Sequence, residues 1–195
     1  ANKLAEITGG AACSSITEAL EIGVDALAIL VPHHLHEDLV TQALEAGVHV
    51  ALEKPMAPTL EACERILATA ARHPDRVFML TENAQYWPEV VMAQKLIAEG
   101  AIGKLVTARS WHNFGITPEF YPSDESWRFQ QSAAGGGVAL DTGSHWMRPL
   151  RMILGEIDEV VAVTGRLWEK MEGESMVRSL CLFQSGVVAS FDVIL

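Results

Sequence analysis

The sequence predicts an α/β chain in two parts: a doubly wound parallel sheet, then an α+β domain whose sheet is mostly antiparallel. Three observations carry that expectation. Apolar runs at 24–31, 48–52 and 77–80 alternate with segments of helical periodicity. Parallel neighbours need such crossovers, and right-handed crossovers dominate. From residue 159 onward, three extended runs follow one another with no helix between them, and Gln184-Ser185-Gly186 reads as a hairpin turn between the last two. The pattern changes at 80–88, so the expected domains are residues 1–84 and 85–195.

Taken in order, the first eight residues read as the tail of a helix, 11–13 as a short strand and 17–22 as one or two helical turns. The run 24–31, nearly unbroken and closed by Pro32, fits a central strand buried on both faces. Leu35, Leu39, Val40, Ala43 and Leu44 then recur at helical spacing, with Glu37 and Asp38 near the helix start and Gly47 placed to end it. After the strand at 48–52, Thr59 caps a helix with the stripe Leu60, Cys63, Ile66, Leu67 and Ala70, broken at His73-Pro74. The run 77–80 is the third strand. Beyond the boundary come a helix at 89–99 stopped by Gly100, a strand at 105–112 and an irregular aromatic stretch to Ser132. Gly135, Gly136 and Gly137 then introduce a helix over 138–154, followed by extended runs at 159–167, 176–183 and 187–195.

With 14 basic against 25 acidic residues, the net charge of −11 repels phosphate backbones, so no nucleic-acid partner is expected. No apolar run approaches the ~20 residues of a membrane span. The first residues carry no basic leader before an apolar stretch, so the expectation is a cytoplasmic protein with a trimmed or fragmentary start. Cys13, Cys63 and Cys181 are odd in number and lack C-x-x-C spacing, which reads as reduced thiols.

Chemistry gathers at a few positions. Lys54 directly follows a strand, where open α/β sheets bind ligands. It can donate to a substrate hydroxyl, stabilise an alkoxide or act as a base, or it can simply pair with Glu53 at the surface. Asp141 and His145 are four apart, so one helix face is expected to carry both, with the carboxylate orienting the imidazole; a purely structural pair has equal weight. The glycines at 135–137 allow close backbone approach to a ligand. His33, His34 and His36 are too close in sequence to converge on one ion, so no metal is expected. The loop 32–36 instead suits a cofactor's ribose or nicotinamide. Trp111, His112, Phe114, Tyr121, Trp127 and Phe129, with Arg109 and Arg128 nearby, form either a wall for a sugar ring or an aromatic core under a long loop.

Four segments in register, VDALAILVPHHLH (24–36), AGVHVALEKP (46–55), GAIGKL (100–105) and GGGVALDTGSH (135–145), resemble the glucose-fructose oxidoreductase and inositol dehydrogenase family. The resemblance implies a Rossmann-type domain followed by a substrate and oligomerisation domain. It also implies hydride transfer between NAD or NADP and a secondary alcohol of a sugar, polyol or cyclic diol. The family's catalytic Lys, Asp and His map onto Lys54, Asp141 and His145. Pro32, His33, His36, Glu53, Lys54, Trp127 and Arg128 fall on the cofactor side, and a homo-oligomer through the second-domain sheet is implied.

Three departures accompany the likeness. The family opens with a strand, a G-x-G-x-x-G turn, a helix and a second strand, a unit of at least ~30 residues that this sequence lacks. The last residues fall inside the second sheet. Truncation at both ends is therefore expected, with a non-catalytic oligomerisation or binding module as the alternative, and elimination or hydrolysis with transient nicotinamide use as another. Finally, Asn83-Ala84-Gln85 stands where Asn-x-Arg is common, and Arg148 stands where an Asp often follows the His.

Overall fold

The computed structural model describes all residues except 116, 118–120 and 122–124, so part of the expected irregular stretch lies outside the described residues. The chain folds as two compact units, Ala1–Val31 with Leu35–Thr81, and Pro32–His34 with Glu82–Leu195.

The first unit contains α1 (Asn2–Thr8), α2 (Ile16–Glu21), β1 (Ala26–Ile29), α3 (His36–Glu45), β2 (His49–Leu52), α4 (Leu60–Arg72) and β3 (Phe78–Leu80). Its three strands are parallel in the order β1-β2-β3, with Ala26 opposite His49 and Leu52 opposite Leu80. Val50 and Leu52 of the middle strand pack with Ile29, Val40, Ala43, Leu44 and Ile66 in one core. The sequence signals for the helix ends hold. Thr59 Oγ1 accepts from the Ala62 N–H at 3.2 Å, and Gly47, at φ 77°, ends α3 in the left-handed conformation that glycine adopts without penalty.

Two expectations for this unit fail. Residues 11–13 form no strand, because local hydrogen bonds draw the next residues into a helix start: Ser15 Oγ accepts from the Glu18 N–H, and the Glu18 carboxylate accepts from the Ser14 N–H. β1 is at the edge of this sheet, and only Ile29 of its four residues is buried. α3 and α4 pack on each other, as successive right-handed crossovers running one way along a sheet require, and so cover one face.

The second unit contains α5 (Pro88–Ala98), β4 (Thr107–Asn113), α6 (Gln131–Ala134), α7 (Val138–Asp141), α8 (Ser144–Leu154), β5 (Ile157–Gly165), β6 (Met176–Phe183) and β7 (Val188–Ile194). The sheet order is β4-β7-β6-β5, with β4 parallel to β7 and the other pairs antiparallel. Cys181, Phe183, Ala189, Phe191 and Val193 point inward against Val138, Leu150 and Leu154. The opposite face leaves Trp111, Val161, Val163, Leu180 and Val188 exposed.

The expected helix over 138–154 is broken in two. Thr142 and Gly143 both donate to the Val138 carbonyl, at 3.1 and 2.8 Å, which widens the turn and ends α7 at Asp141. A Cβ on Gly143 would lie 2.4 Å from the Ala139 carbonyl oxygen, so the break needs glycine. The preceding glycines serve packing as well. A Cβ on Gly137 would lie 1.8 Å from the Glu174 carbonyl oxygen, while the Glu174 carboxylate accepts from the Gly137 and Ala139 N–H groups at 2.9 and 3.0 Å. The close approach expected for a ligand is thus filled by the chain's own backbone at Gly173 and Glu174. Among the described residues, no helix is long and apolar enough to cross a membrane.

Candidate active site

In the first unit, the loops after β1 and β2 bring together Glu53, Lys54 and His36. The Glu53 N–H donates to the Ile29 carbonyl at 3.0 Å, tying the end of β2 to β1. The Glu53 carboxylate accepts from the Lys54 N–H and, at 3.5 Å, from Thr81 Oγ1 at the end of β3. Lys54 therefore starts a turn whose backbone is held from both neighbouring strands. Its peptide bond to Pro55 is cis.

His36 was expected on the cofactor side, but it is fully buried. Nδ1 lies 3.0 Å from the Pro55 carbonyl oxygen and Nε2 lies 3.0 Å from that of Val31. The ring braces the two loops against each other and has no surface to offer a nicotinamide. A buried imidazole needs a hydrogen-bond partner, and a backbone carbonyl beside each ring nitrogen gives either N–H tautomer an acceptor.

The second unit holds the other expected residues. Asp141, at the end of α7, has Oδ2 3.2 Å from Arg128 Nε and Oδ1 3.9 Å from His33 Nε2. His33 is buried, donates from Nδ1 to the Ala134 carbonyl at 2.9 Å, and meets Trp127 edge-on with ring centroids 4.6 Å apart. The Arg128 guanidinium lies 4.5 Å over the Trp127 ring. His33, Trp127, Arg128 and Asp141 thus form one cluster, next to half-buried Pro32 in the chain.

His145 belongs to a different set. α7 ends at Asp141 and α8 begins at Ser144, and the carboxylate hydrogen-bonded to His145 is that of Glu82. His145 Nδ1 lies 2.7 Å from Glu82 Oε1, and the same oxygen accepts from the Ala84 N–H at 2.7 Å. Trp87 lies 6.3 Å from the His145 ring and 5.3 Å from Trp146, which stacks at 4.8 Å on His112. Burial, with the charge of His145 second, holds His112 below the usual imidazole pKa.

Sequence reasoning missed Glu82. It falls two residues past the end of β3, so the strand-end rule that singled out Lys54 could also have found it.

The aromatic stretch divides. Tyr121 and Phe129 stack at 5.1 Å and meet Trp168, inside the core. Burial, and then the Asp141 carboxylate, push the Tyr121 hydroxyl up to about 12, against the pull of Arg128. Trp111 is exposed on the outer sheet face, and only His112 and Phe114 join the His145 set. The two unusual residues noted in the sequence meet one another: Arg148 donates to Gln85 Oε1 from Nη2 at 2.9 Å and from Nε at 3.3 Å.

Residues 1–81 match the family model described as an oxidoreductase family with an NAD-binding Rossmann fold, and residues 90–194 match the GFO/IDH/MocA C-terminal domain. The chain is 34% identical over 185 residues to the 1,5-anhydro-D-fructose reductase of Ensifer adhaerens, covering 93% of this chain and 54% of that protein. It is 36% identical over 137 residues to the levoglucosan dehydrogenase of Pseudarthrobacter phenanthrenivorans, covering 69% of this chain and 34% of that protein. A solved structure of levoglucosan dehydrogenase in complex with NADH and levoglucosan superposes with a TM-score of 0.88 at 28% identity, over 100% of this chain and 55% of that one. The chain spans about half the length, or less, of these relatives.

Proposed function

The chain belongs to the GFO/IDH/MocA oxidoreductase family, and we propose that its protein oxidises a secondary alcohol of a sugar, polyol or cyclic diol with NAD or NADP. The supporting observation is the His145 ring. Its side chain is 24% exposed, one nitrogen is held by a carboxylate, and the other makes no hydrogen bond among the described residues.

In this reading His145 receives the hydroxyl proton while Lys54 polarises the same hydroxyl and stabilises the alkoxide. Asp141, held by Arg128 and His33, accepts from a second substrate hydroxyl. Trp127 and Arg128 offer an aromatic and cationic surface on the nicotinamide side, beside Pro32. The donor set at the end of β2 suits the nicotinamide end of a dinucleotide, with Glu53 able to accept from ribose or carboxamide groups and Lys54 able to donate. The bound nicotinamide supplies the hydride acceptor at C4.

In the full-length protein, Lys54→Met and His145→Ala should each lower kcat by ~10²- to 10⁴-fold on a panel of sugars, polyols and cyclic diols. Normal turnover by either variant would remove that residue from the chemistry. The exposed Trp111, Val161, Val163 and Leu180 on the outer face of the mixed sheet also support a homo-oligomer that covers this face with a second copy. Sedimentation should show a dimer or larger species that Val161→Glu with Leu180→Glu dissociates. A wild-type monomer would end that part of the reading.

A further inference from the structure

We infer that Glu82 is a positioning residue that holds His145 as its Nδ1–H tautomer, making Nε2 the nitrogen that receives the substrate proton. The inference rests on the reading of His145 as the base.

Glu82 is 8% exposed, and its Oε1 lies 2.7 Å from both His145 Nδ1 and the Ala84 N–H. The Ala84 bond fixes the carboxylate to the backbone of the short 3₁₀ turn Ala84–Tyr86, and the Gln85 side chain closes the same turn by donating to the Glu82 carbonyl at 3.0 Å. An ionised carboxylate only accepts hydrogen bonds, so the proton between the two side chains belongs to Nδ1. That assignment leaves the lone pair of the neutral ring on Nε2. When the substrate O–H bond breaks, its proton forms the Nε2–H bond and the resulting imidazolium is already paired with a negative charge; a bound nicotinamide would supply the acceptor for hydride from the carbon that bears this oxygen.

The remaining Glu82 oxygen gives a second reason. Oε2 is buried and has no hydrogen-bond partner among the described residues. An unpaired buried carboxylate oxygen costs stability and calls for an explanation beyond packing. Asp141, the carboxylate nearest to His145 in sequence, is directed instead at Arg128 and His33.

Long-range ¹H–¹⁵N spectra of the histidine-labelled chain at alkaline pH read the tautomer directly, with His145 assigned by its loss in His145→Gln. The wild type should show Nδ1–H. Glu82→Ala should move the ring toward the Nε2–H form that free histidine favours. Glu82→Gln, whose amide oxygen can accept the same bond, should retain Nδ1–H and serves as the control for folding. An Nε2–H ring in the wild type, or an unchanged Nδ1–H ring in Glu82→Ala, overturns the inference. In the full-length protein, Glu82→Ala should lower kcat by roughly 10- to 100-fold with little change in KM, and Glu82→Gln should recover part of it. A wild-type kcat in Glu82→Ala would also overturn it. Normal turnover by His145→Ala sinks the base assignment while leaving the tautomer result intact, so the two failures are distinguishable.

Discussion

In the first unit, Glu53 and Lys54 follow β2 and His36 opens α3, and their partners include Ile29, Val31, Pro55 and Thr81, at or near the strand ends of one small sheet. In the second, His145 meets Glu82 from 63 positions away, and Asp141 meets Arg128 and His33. A parallel sheet aligns its strand ends at one edge, so neighbours there follow from strand order alone. No such regularity governs the second unit, where a broken helix and a short turn decide which side chains meet. The first arrangement should tolerate a lost brace, and the second should depend on close backbone packing.

The largest expected effect tests that packing. Gly137→Ala puts a Cβ 1.8 Å from the Glu174 carbonyl oxygen, with the Glu174 backbone nitrogen 2.5 Å away, and should cost about 3 kcal/mol. Gly136→Ala meets only the flexible Leu140 side chain, at 3.2 Å, and should cost far less. Equal urea midpoints for the two variants would mean that the second unit does not depend on this contact.

A middle effect belongs to the first unit. His36→Leu removes the ring's hydrogen bonding to the loop carbonyls at Val31 and Pro55 in a buried site and should cost ~1–3 kcal/mol. Hydrogen exchange should show weaker protection in β1 and β2 and unchanged protection in β6 and β7. Equal loss in both sheets would break the contrast between the units.

The smallest effect is a pH dependence at His112. Its folded pKa is lowered, chiefly by burial, from an unfolded value of about 6.5, so in the interval between the two the unfolded chain binds the extra proton. Stability from the neutral ring is therefore complete above about pH 6.5 and erodes as pH falls through the folded value. His112→Phe keeps the stacking on Trp146 and removes the titration, so it should lose less stability than the wild type between about pH 7.5 and about pH 5.5. Identical losses would remove His112 as a contributor.

Local signals were read correctly where the causes were local. The Thr59 cap and the Gly47 stop each depend on a few neighbouring residues and stand in the fold, whereas the α4 stripe holds at Cys63, Ile66 and Ala70 but leaves Leu60 and Leu67 exposed. The strand at 11–13 failed because Ser14 and Ser15 belong to a helix cap, and the burial of β1 failed because periodicity carries no information about edge position. The four-residue spacing of Asp141 and His145 assumes an unbroken helix, whereas α7 ends at Asp141 and α8 begins at Ser144. The departures at Gln85 and Arg148 lie 63 positions apart in sequence, and only the tertiary structure shows that the two side chains hydrogen-bond each other.

The amino-acid sequence by itself determined the order of strands and helices, the position of Lys54 at a strand end and the family likeness, because these follow from side-chain periodicity, turn chemistry and ordered motifs. Only the tertiary structure decided which carboxylate serves which histidine. The helix breaks between Asp141 and Ser144, and the turn at Ala84–Tyr86 holds Glu82 at the imidazole. Side-chain direction at such points depends on backbone hydrogen bonds between distant segments, which no local pattern encodes.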